Sequence, residues 1–222
     1  MSVAFVFDMD GVIIHSNPFH KIALQQFCAK YGYDLSEDEL ARRIYGRTNK
    51  EWITNLFGRP LPPHELAAYA EEKESLFRRL YERDITEVAG LTSFLEKTRG
   101  LGIPCAIGTS APLTNVDFVL AKTGIRHFFS AILHEADVEH GKPNPEIYLK
   151  TAASLGKEPG QCVVFEDSIS GVKAGLAAGS PVVGVLTTHS AGELSGTKLA
   201  INDFQGLEPA ELVRKIWPSI KN

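Results

Sequence analysis

The sequence has no run approaching the ~20 consecutive apolar residues of a membrane-spanning helix, no basic excess and no paired-cysteine spacing. Each absence removes a class of protein. The apolar start is broken by Asp8 and carries no basic segment ahead of it, so no secretory signal and no membrane partner are expected, and the chain reads as cytoplasmic. A net charge of -4 at pH 7 offers no footprint for nucleic acid, although a local basic pocket for a small phosphorylated molecule stays open. The three cysteines, Cys28, Cys105 and Cys162, lack C-x-x-C spacing and each lies inside an apolar run, which points to reduced core thiols. Internal repeats and low-complexity segments are also missing.

What remains is a chain of 222 residues with 44% hydrophobic content, enough for one large domain with a smaller insert. A monomer is expected. The stretch that organises it is Val3 to Ile13. Val3 to Phe7 is too short for a helix and rich in β-branched and aromatic residues, the pattern of a strand buried on both faces of a parallel sheet. Asp8 and Asp10 follow directly, and Gly11 lets the backbone turn so that both carboxylates enter one small volume. Such a pair is open to three readings: a solvated turn, a divalent metal site, or an acid/base pair in which one carboxylate attacks while the other moves protons.

Residues 16 to 83 read as helical throughout. Ser16 offers an N-cap before Pro18, and Phe19, Ile22, Ala23, Gln26 and Phe27 recur at helical spacing up to Gly32. Ser36 with Glu39 and Thr48 with Glu51 form two capping boxes, and Pro62-Pro63 opens a fourth helix striped by Leu66, Tyr69, Ala70, Lys73, Leu76, Phe77 and Leu80. From Arg83 onward strands alternate with helices: Ile103–Ile107, Ala131–Leu133, Cys162–Phe165, Pro181–Val185 and Leu199–Ile201 are the strands. The pattern predicts an α/β fold with a Rossmann-like parallel sheet core, residues 1–15 and 84–222, interrupted by an inserted α-helical bundle, residues 16–83.

Ligands of such sheets bind beyond the carboxyl ends of the strands. That rule gathers Asp8 and Asp10, Thr109 or Ser110, and Glu166-Asp167, each closing an apolar strand, with Lys142 before a helix start at the same level. Several carboxylates, a hydroxyl and an ammonium suit phosphoryl transfer, where an anionic phosphoryl group must approach an anionic nucleophile and cations offset the repulsion. Ligands that are all oxygen point to Mg²⁺.

Phe7-Asp8-Met9-Asp10-Gly11-Val12, the Thr/Ser after the second strand, Lys142-Pro143-Asn144-Pro145, and Phe165-Glu166-Asp167-Ser168 with Gly171 resemble the four motifs of the haloacid dehalogenase-like superfamily. The helical insert after the first motif resembles the cap of its β-phosphoglucomutase-like and small-phosphatase branch. The resemblance covers nearly the whole chain. It implies that Asp8 is a nucleophile that becomes a phosphoaspartate and Asp10 the general acid/base. Asp8, the backbone carbonyl of Asp10 and Asp167 would hold Mg²⁺, with Glu166 as ligand or in contact with one. Thr109 and Lys142 would grip the phosphoryl oxygens; strand-end spacing favours Thr109 over Ser110, and the other would cap the following helix.

The cap is the expected reader of the substrate and a lid moving about crossings near His15 and Arg83. His20 is either an ordinary exposed helix histidine or, as in resembling sugar-phosphate mutases, a contact of the acid/base residue. Arg47 and Asn49 are candidate substrate contacts against a solvated helix start, and Lys73 either snorkels to solvent or points to a substrate anion. The chain departs from the resembling families in two places: His15 stands where many carry Asp, and Tyr45 and Asn49 stand where β-phosphoglucomutases carry the Lys and Arg that hold a second phosphate. The latter favours a Mg²⁺-dependent phosphatase of small phosphorylated metabolites, with sugar phosphates foremost. A β-phosphoglucomutase is the alternative, and a phospho-accepting signalling domain the alternative that is not an enzyme.

Overall fold

The computed structural model describes residues 3–44 and 48–218. The chain divides into two compact units, Met1–His15 with Ile85–Asn222, and Ser16–Asp84.

In the first unit a strand β1 (Ala4–Phe7) opens the chain. The second unit then supplies α1 (Asn17–Lys30), α2 (Glu37–Arg43), α3 (Asn49–Phe57) and α4 (Pro63–Tyr81). The first unit resumes with α5 (Leu91–Gly100), β2 (Cys105–Gly108), α6 (Leu113–Thr123), β3 (Phe129–Leu133) and α7 (Glu146–Ser154). It closes with β4 (Cys162–Glu166), α8 (Ile169–Ala177), β5 (Val182–Val185), β6 (Leu199–Ile201) and α9 (Pro209–Ile216). The six strands form one sheet in the order β3-β2-β1-β4-β5-β6, with every neighbouring pair parallel.

The apolar run of β1 is buried on both faces, and its alternation assigns a different partner to each. Phe5 and Phe7 join Phe94 of α5, Phe165 of β4 and Phe204 in an aromatic layer, with Phe7 stacked on Phe165 at 4.7 Å. Ala4 and Val6 face the opposite layer, with Ile147, Tyr148, Val164, Val172 and Ala174. The period of two in a strand and full burial of both faces explain why no polar residue interrupts the run. Gly175 of α8 lies against the sheet, where an added Cβ would come 2.8 Å from Val182, so the small residues of that helix permit close packing.

Two strands start later than their apolar runs. Pro104 and Pro181 lack an N–H and join the ladder only as acceptors, from Phe5 and Val164, so β2 and β5 begin after them. β3 instead starts earlier than the run Ala131–Leu133, directly after a 3-10 turn at Ile125–Phe128.

In the helical unit, both capping boxes form: Ser36 with Glu39 and Thr48 with Glu51. Ser16 takes the N-cap position of α1, but its hydroxyl does not bond the helix start; Pro18 in the first turn pre-sets the backbone instead. Leu24, Phe27, Cys28, Leu40, Ile44, Trp52, Ile53 and Leu56 form this unit's core. The three cysteines are free and buried, and burial pushes their thiols up to about 11 for Cys28 and Cys162 and about 12 for Cys105, which keeps them inert at neutral pH. No helix among the described residues is long and apolar enough to cross a membrane.

Candidate active site

Register places the functional side chains. Phe7 is level with Ile107 of β2 and with Phe165 of β4, so the residues that follow all three leave the sheet at one edge. The ladder runs on past the strands, since Asp8 N–H donates to the Phe165 carbonyl at 3.1 Å and Thr109 N–H to that of Leu133 at 3.1 Å. After Asp8 the chain folds into a tight turn, with Ile13 N–H donating to the Met9 carbonyl and Gly11 N–H to that of Ile14, both at 2.8 Å. Gly11 sits at φ 74°, a left-handed conformation that glycine adopts without strain.

Lys142 enters from the loop before α7. Its ammonium donates to Asp8 Oδ1 at 2.9 Å and to Glu166 Oε1 at 2.6 Å, with its side chain only 7% exposed. The loop behind it is anchored by Glu146 in the first turn of α7, whose carboxylate accepts from the N–H groups of Glu139 and His140 and from Lys150. Asn144 caps the same turn by accepting from Glu146 N–H at 3.0 Å.

Glu166 is fully buried and receives donors on both oxygens. Lys142 and the Tyr148 hydroxyl, at 2.5 Å, reach Oε1; the N–H groups of Asp167 and Ser168 and the Ser168 hydroxyl reach Oε2. A carboxylate offers about four lone-pair sites, so this set leaves it little acceptor capacity. Its carboxylate also lies where a side chain on Gly171 would begin: an added Cβ there would overlap the Glu166 carboxyl group. Gly171→Ala is therefore expected to destabilise the protein by about 1–3 kcal/mol through overpacking, although Ala normally favours a helix. The variant should also lose most of its activity as Glu166 and Lys142 shift. Thermal melts and turnover read together check this, and an alanine variant as stable and active as the parent would refute it.

Asp8, Glu166 and Asp167 each offer a carboxylate oxygen, all within 4.8 Å of one another. One ammonium against three buried carboxylates leaves the cluster net negative. Burial, reinforced by Glu166 and Asp10, pushes Asp8 up to about 7 even against the pull of Lys142. Asp167 is likewise held well above the ordinary range by burial and then by Glu166 and Asp8. Burial opposes the charge on Lys142, but Asp8 and Glu166 outweigh it and hold the ammonium above its usual value. The two carboxyls are raised first by burial in a low-dielectric pocket and then by their acidic neighbours, whereas the lysine is raised by that excess of negative charge against its own burial. A hard divalent cation bound by oxygen fits that donor set and that excess.

Asp10 is half-buried in the turn and adds to the field on Asp8, while the converging carboxylate oxygens among the described residues are those of Asp8, Glu166 and Asp167. Thr109 is buried at the same edge, its hydroxyl accepting from Ala111 N–H at 3.1 Å. Ser110 is exposed and does not cap the next helix, because Pro112 takes the N-cap position of α6.

In the helical unit, Lys73 does not snorkel. It is buried, donating to His20 Nδ1 at 2.9 Å and paired with Glu74 at 3.0 Å, because a neighbouring carboxylate and a ring nitrogen replace the water its ammonium would otherwise need. His20 is half-buried and stacks on Phe77 at 3.6 Å, not an ordinary exposed histidine. Asn49 donates to Glu74 at 3.5 Å and accepts from the Trp52 indole at 2.8 Å. Tyr45 and Arg47 lie outside the described residues.

Three residues at this edge escape the strand-end reading of the sequence. Tyr148 sits in the apolar stripe of α7 and looks like core; only the structure shows its hydroxyl on Glu166 and its ring 4.9 Å from the Lys142 ammonium. Thr187 and Thr188 follow β5 only after Leu186, one residue past the position that Thr109 takes directly after β2, so the strand-end rule stops short of them. The Thr187 hydroxyl donates to the Gly11 carbonyl at 2.5 Å, and that of Thr188 donates to Asp167 Oδ2.

The fold is shared with known proteins. A fructose-1-phosphate phosphatase of Escherichia coli (strain K12) is 33% identical over 185 residues, which cover 81% of this chain and 94% of the relative. The crystal structure of a HAD hydrolase, family IA, variant 3, from Entamoeba histolytica superposes with a TM-score of 0.88 at 33% identity, over 96% of this chain and 99% of that one. A β-phosphoglucomutase from Clostridium difficile does so with a TM-score of 0.84 at 26% identity, over 97% of both chains. Residues 5–185, which carry the carboxylates of the strand ends, Lys142 and the helical unit between them, match the haloacid dehalogenase-like hydrolases, and the chain belongs to that family.

Proposed function

We propose that the chain is a Mg²⁺-dependent phosphoric monoester hydrolase of small phosphorylated metabolites, sugar phosphates foremost, working through a phosphoaspartate on Asp8. The observation that carries this reading is the Lys142 ammonium shared between Asp8 and Glu166 beside Asp167. A carboxylate nucleophile needs a positive neighbour to approach a phosphoryl anion, and here one is held in hydrogen-bond contact. The fructose-1-phosphate phosphatase relative supports the substrate class.

In this reading an Asp8 oxygen forms a bond to phosphorus as the ester P–O bond breaks, and Asp10 gives its proton to the departing alcohol. Asp10 then takes a proton from water, whose oxygen attacks phosphorus, and inorganic phosphate leaves with Asp8 restored. Lys142 and Thr109 would hold the phosphoryl oxygens. Asp8, Asp167 and the Asp10 carbonyl would hold Mg²⁺, which supplies charge to offset the approach of two anions. Glu166, with five donors on its oxygens, acts in this scheme by fixing Lys142. Residues 16–83 would serve as the cap, with His20, Asn49, Arg47 and Lys73 as its contributors to substrate reading.

Asp10→Asn should slow turnover by roughly a hundredfold or more, because an amide neither gives nor takes the proton. Substrates with good leaving groups, which need less protonation, should be affected least in the first step. A steady-state comparison of a sugar phosphate with an aryl phosphate checks this, and full activity toward both would remove Asp10 from proton transfer.

The likeness to a β-phosphoglucomutase favours a second reading, a sugar-phosphate mutase. Against it, Asn49 stands where resembling mutases carry Arg, and its amide is engaged by Glu74 and Trp52. The deciding experiment incubates the protein and Mg²⁺ with a panel of sugar phosphates that includes fructose 1-phosphate, and separately with β-glucose 1-phosphate and its 1,6-bisphosphate. Release of inorganic phosphate is expected. Rapid glucose 6-phosphate formation with little free phosphate would establish the mutase instead.

A further inference from the structure

The loop after β5 reaches both of the segments that carry the acidic cluster, although it contributes no carboxylate. Thr187 holds the carbonyl of Gly11, in the turn that begins at Asp8, and Thr188 holds the side chain of Asp167, after β4. The loop is itself fastened, since Leu186 N–H donates to the Ile201 carbonyl of β6 at 2.8 Å and Ser190 is tied to Glu193 through both its N–H and its hydroxyl. Asp167 is nearly buried, with 2% exposure, whereas Thr188 is exposed. The hydroxyl therefore meets the acidic cluster from its solvent side.

We propose that Thr188 is a positioning residue for the metal site: its hydroxyl bond to Asp167 fixes the rotation of that carboxylate and so sets the affinity for Mg²⁺, while Thr187 keeps the loop in register with the Asp8 turn. A carboxylate at the end of a short side chain turns about its last torsion unless an outer partner holds one oxygen, and in metal sites such partners set ligand orientation. The threonine hydroxyl can donate here and cannot compete as a charged ligand, so it orients Asp167 without adding to the negative charge already in excess.

The inference rests on the metal reading above, and its test separates the two. Mg²⁺ binding to the whole protein, free of substrate, is measured by titration calorimetry for the wild type and for Thr188→Val, Thr188→Ser and Asp167→Asn, alongside metal-free melting temperatures. Thr188→Val should weaken Mg²⁺ binding by about tenfold or more, the range seen when an outer partner of a ligand is lost. Thr188→Ser, which keeps the hydroxyl, should restore it. Thr188→Ser should keep the wild-type metal-free melting temperature, and Thr188→Val should lower it by no more than the loss of one hydrogen bond does. Kinetic measurements should then show a raised Mg²⁺ requirement for Thr188→Val with kcat recovered at saturating metal. Mg²⁺ affinity in Thr188→Val equal to wild type, with Asp167→Asn clearly weaker, would overturn the role of Thr188 and leave the metal site standing. Failure of the wild type itself to bind Mg²⁺ would overturn the metal reading and this inference with it.

Discussion

Asp8→Asn is expected to abolish turnover while leaving the protein folded. The amide is nearly the same size as the carboxylate and can still accept from Lys142, but its oxygen is far too weak a nucleophile to displace an alcohol from phosphorus. Stability should not suffer, because Asp8 is one of three buried carboxylates facing a single ammonium, and burial already pushes it up to about 7. Removing that charge relieves repulsion on Glu166 and Asp167. The measurement is phosphate release from the best substrate of the panel, with a melt in metal-free buffer at pH 8 and a trap for the covalent intermediate. Wild-type protein quenched in acid during turnover should carry label from a phosphate-labelled substrate on Asp8, and the variant none. Residual turnover within a hundredfold of wild type in the variant would end the covalent mechanism.

Lys142→Ala should cost about a thousandfold in kcat, the upper range for deleting one donor that stabilises a developing anion. Its effect on stability should be the opposite of that at Asp8. Lys142 is bonded to two of the carboxylates it serves, with its side chain 7% exposed, so its loss strands Asp8 and Glu166 without their cation. Breaking a buried pair by removing one partner costs about 3–5 kcal/mol, and the metal-free variant should melt at a clearly lower temperature. Mg²⁺ should recover part of that loss, because it supplies positive charge to the same cluster. Assays below the melting temperature at saturating Mg²⁺ separate the catalytic part from the folding part. A variant within tenfold of wild-type kcat under those conditions would remove Lys142 from the chemistry.

These two predictions differ in sign on stability although the residues touch each other, and that difference could not be read from the motifs. The motifs show that an aspartate and a lysine occur at strand ends, whereas the sign depends on how many carboxylates share one lysine and on how little water reaches them. Tyr148 makes the same point. In the sequence it is one apolar position of a helix stripe, and it becomes part of the site because α7 packs it beneath Glu166. Lys73 is a comparable case in the helical unit, where His20 of α1 joins the adjacent Glu74 of α4 in taking up its buried charge.

The amino-acid sequence by itself determined the alternation of strands and helices, the helices between Asn17 and Tyr81, the two capping boxes, and the candidates at the strand ends. All of these follow from local rules: period-two burial, helical spacing, turn residues and the tendency of parallel sheets to bind at their carboxyl edge. Only the tertiary structure decided that Glu166 is saturated by five donors and that Gly171 must lack a side chain to admit it. It also decided that Ser110 leaves the next helix uncapped and that Thr187 and Thr188 reach the site from β5. The physical reason is range. Backbone periodicity and capping are set within a few residues, whereas the charge balance and donor count of the acidic cluster are set by segments as far apart as Gly11 and Thr187, brought together only by the register of the sheet.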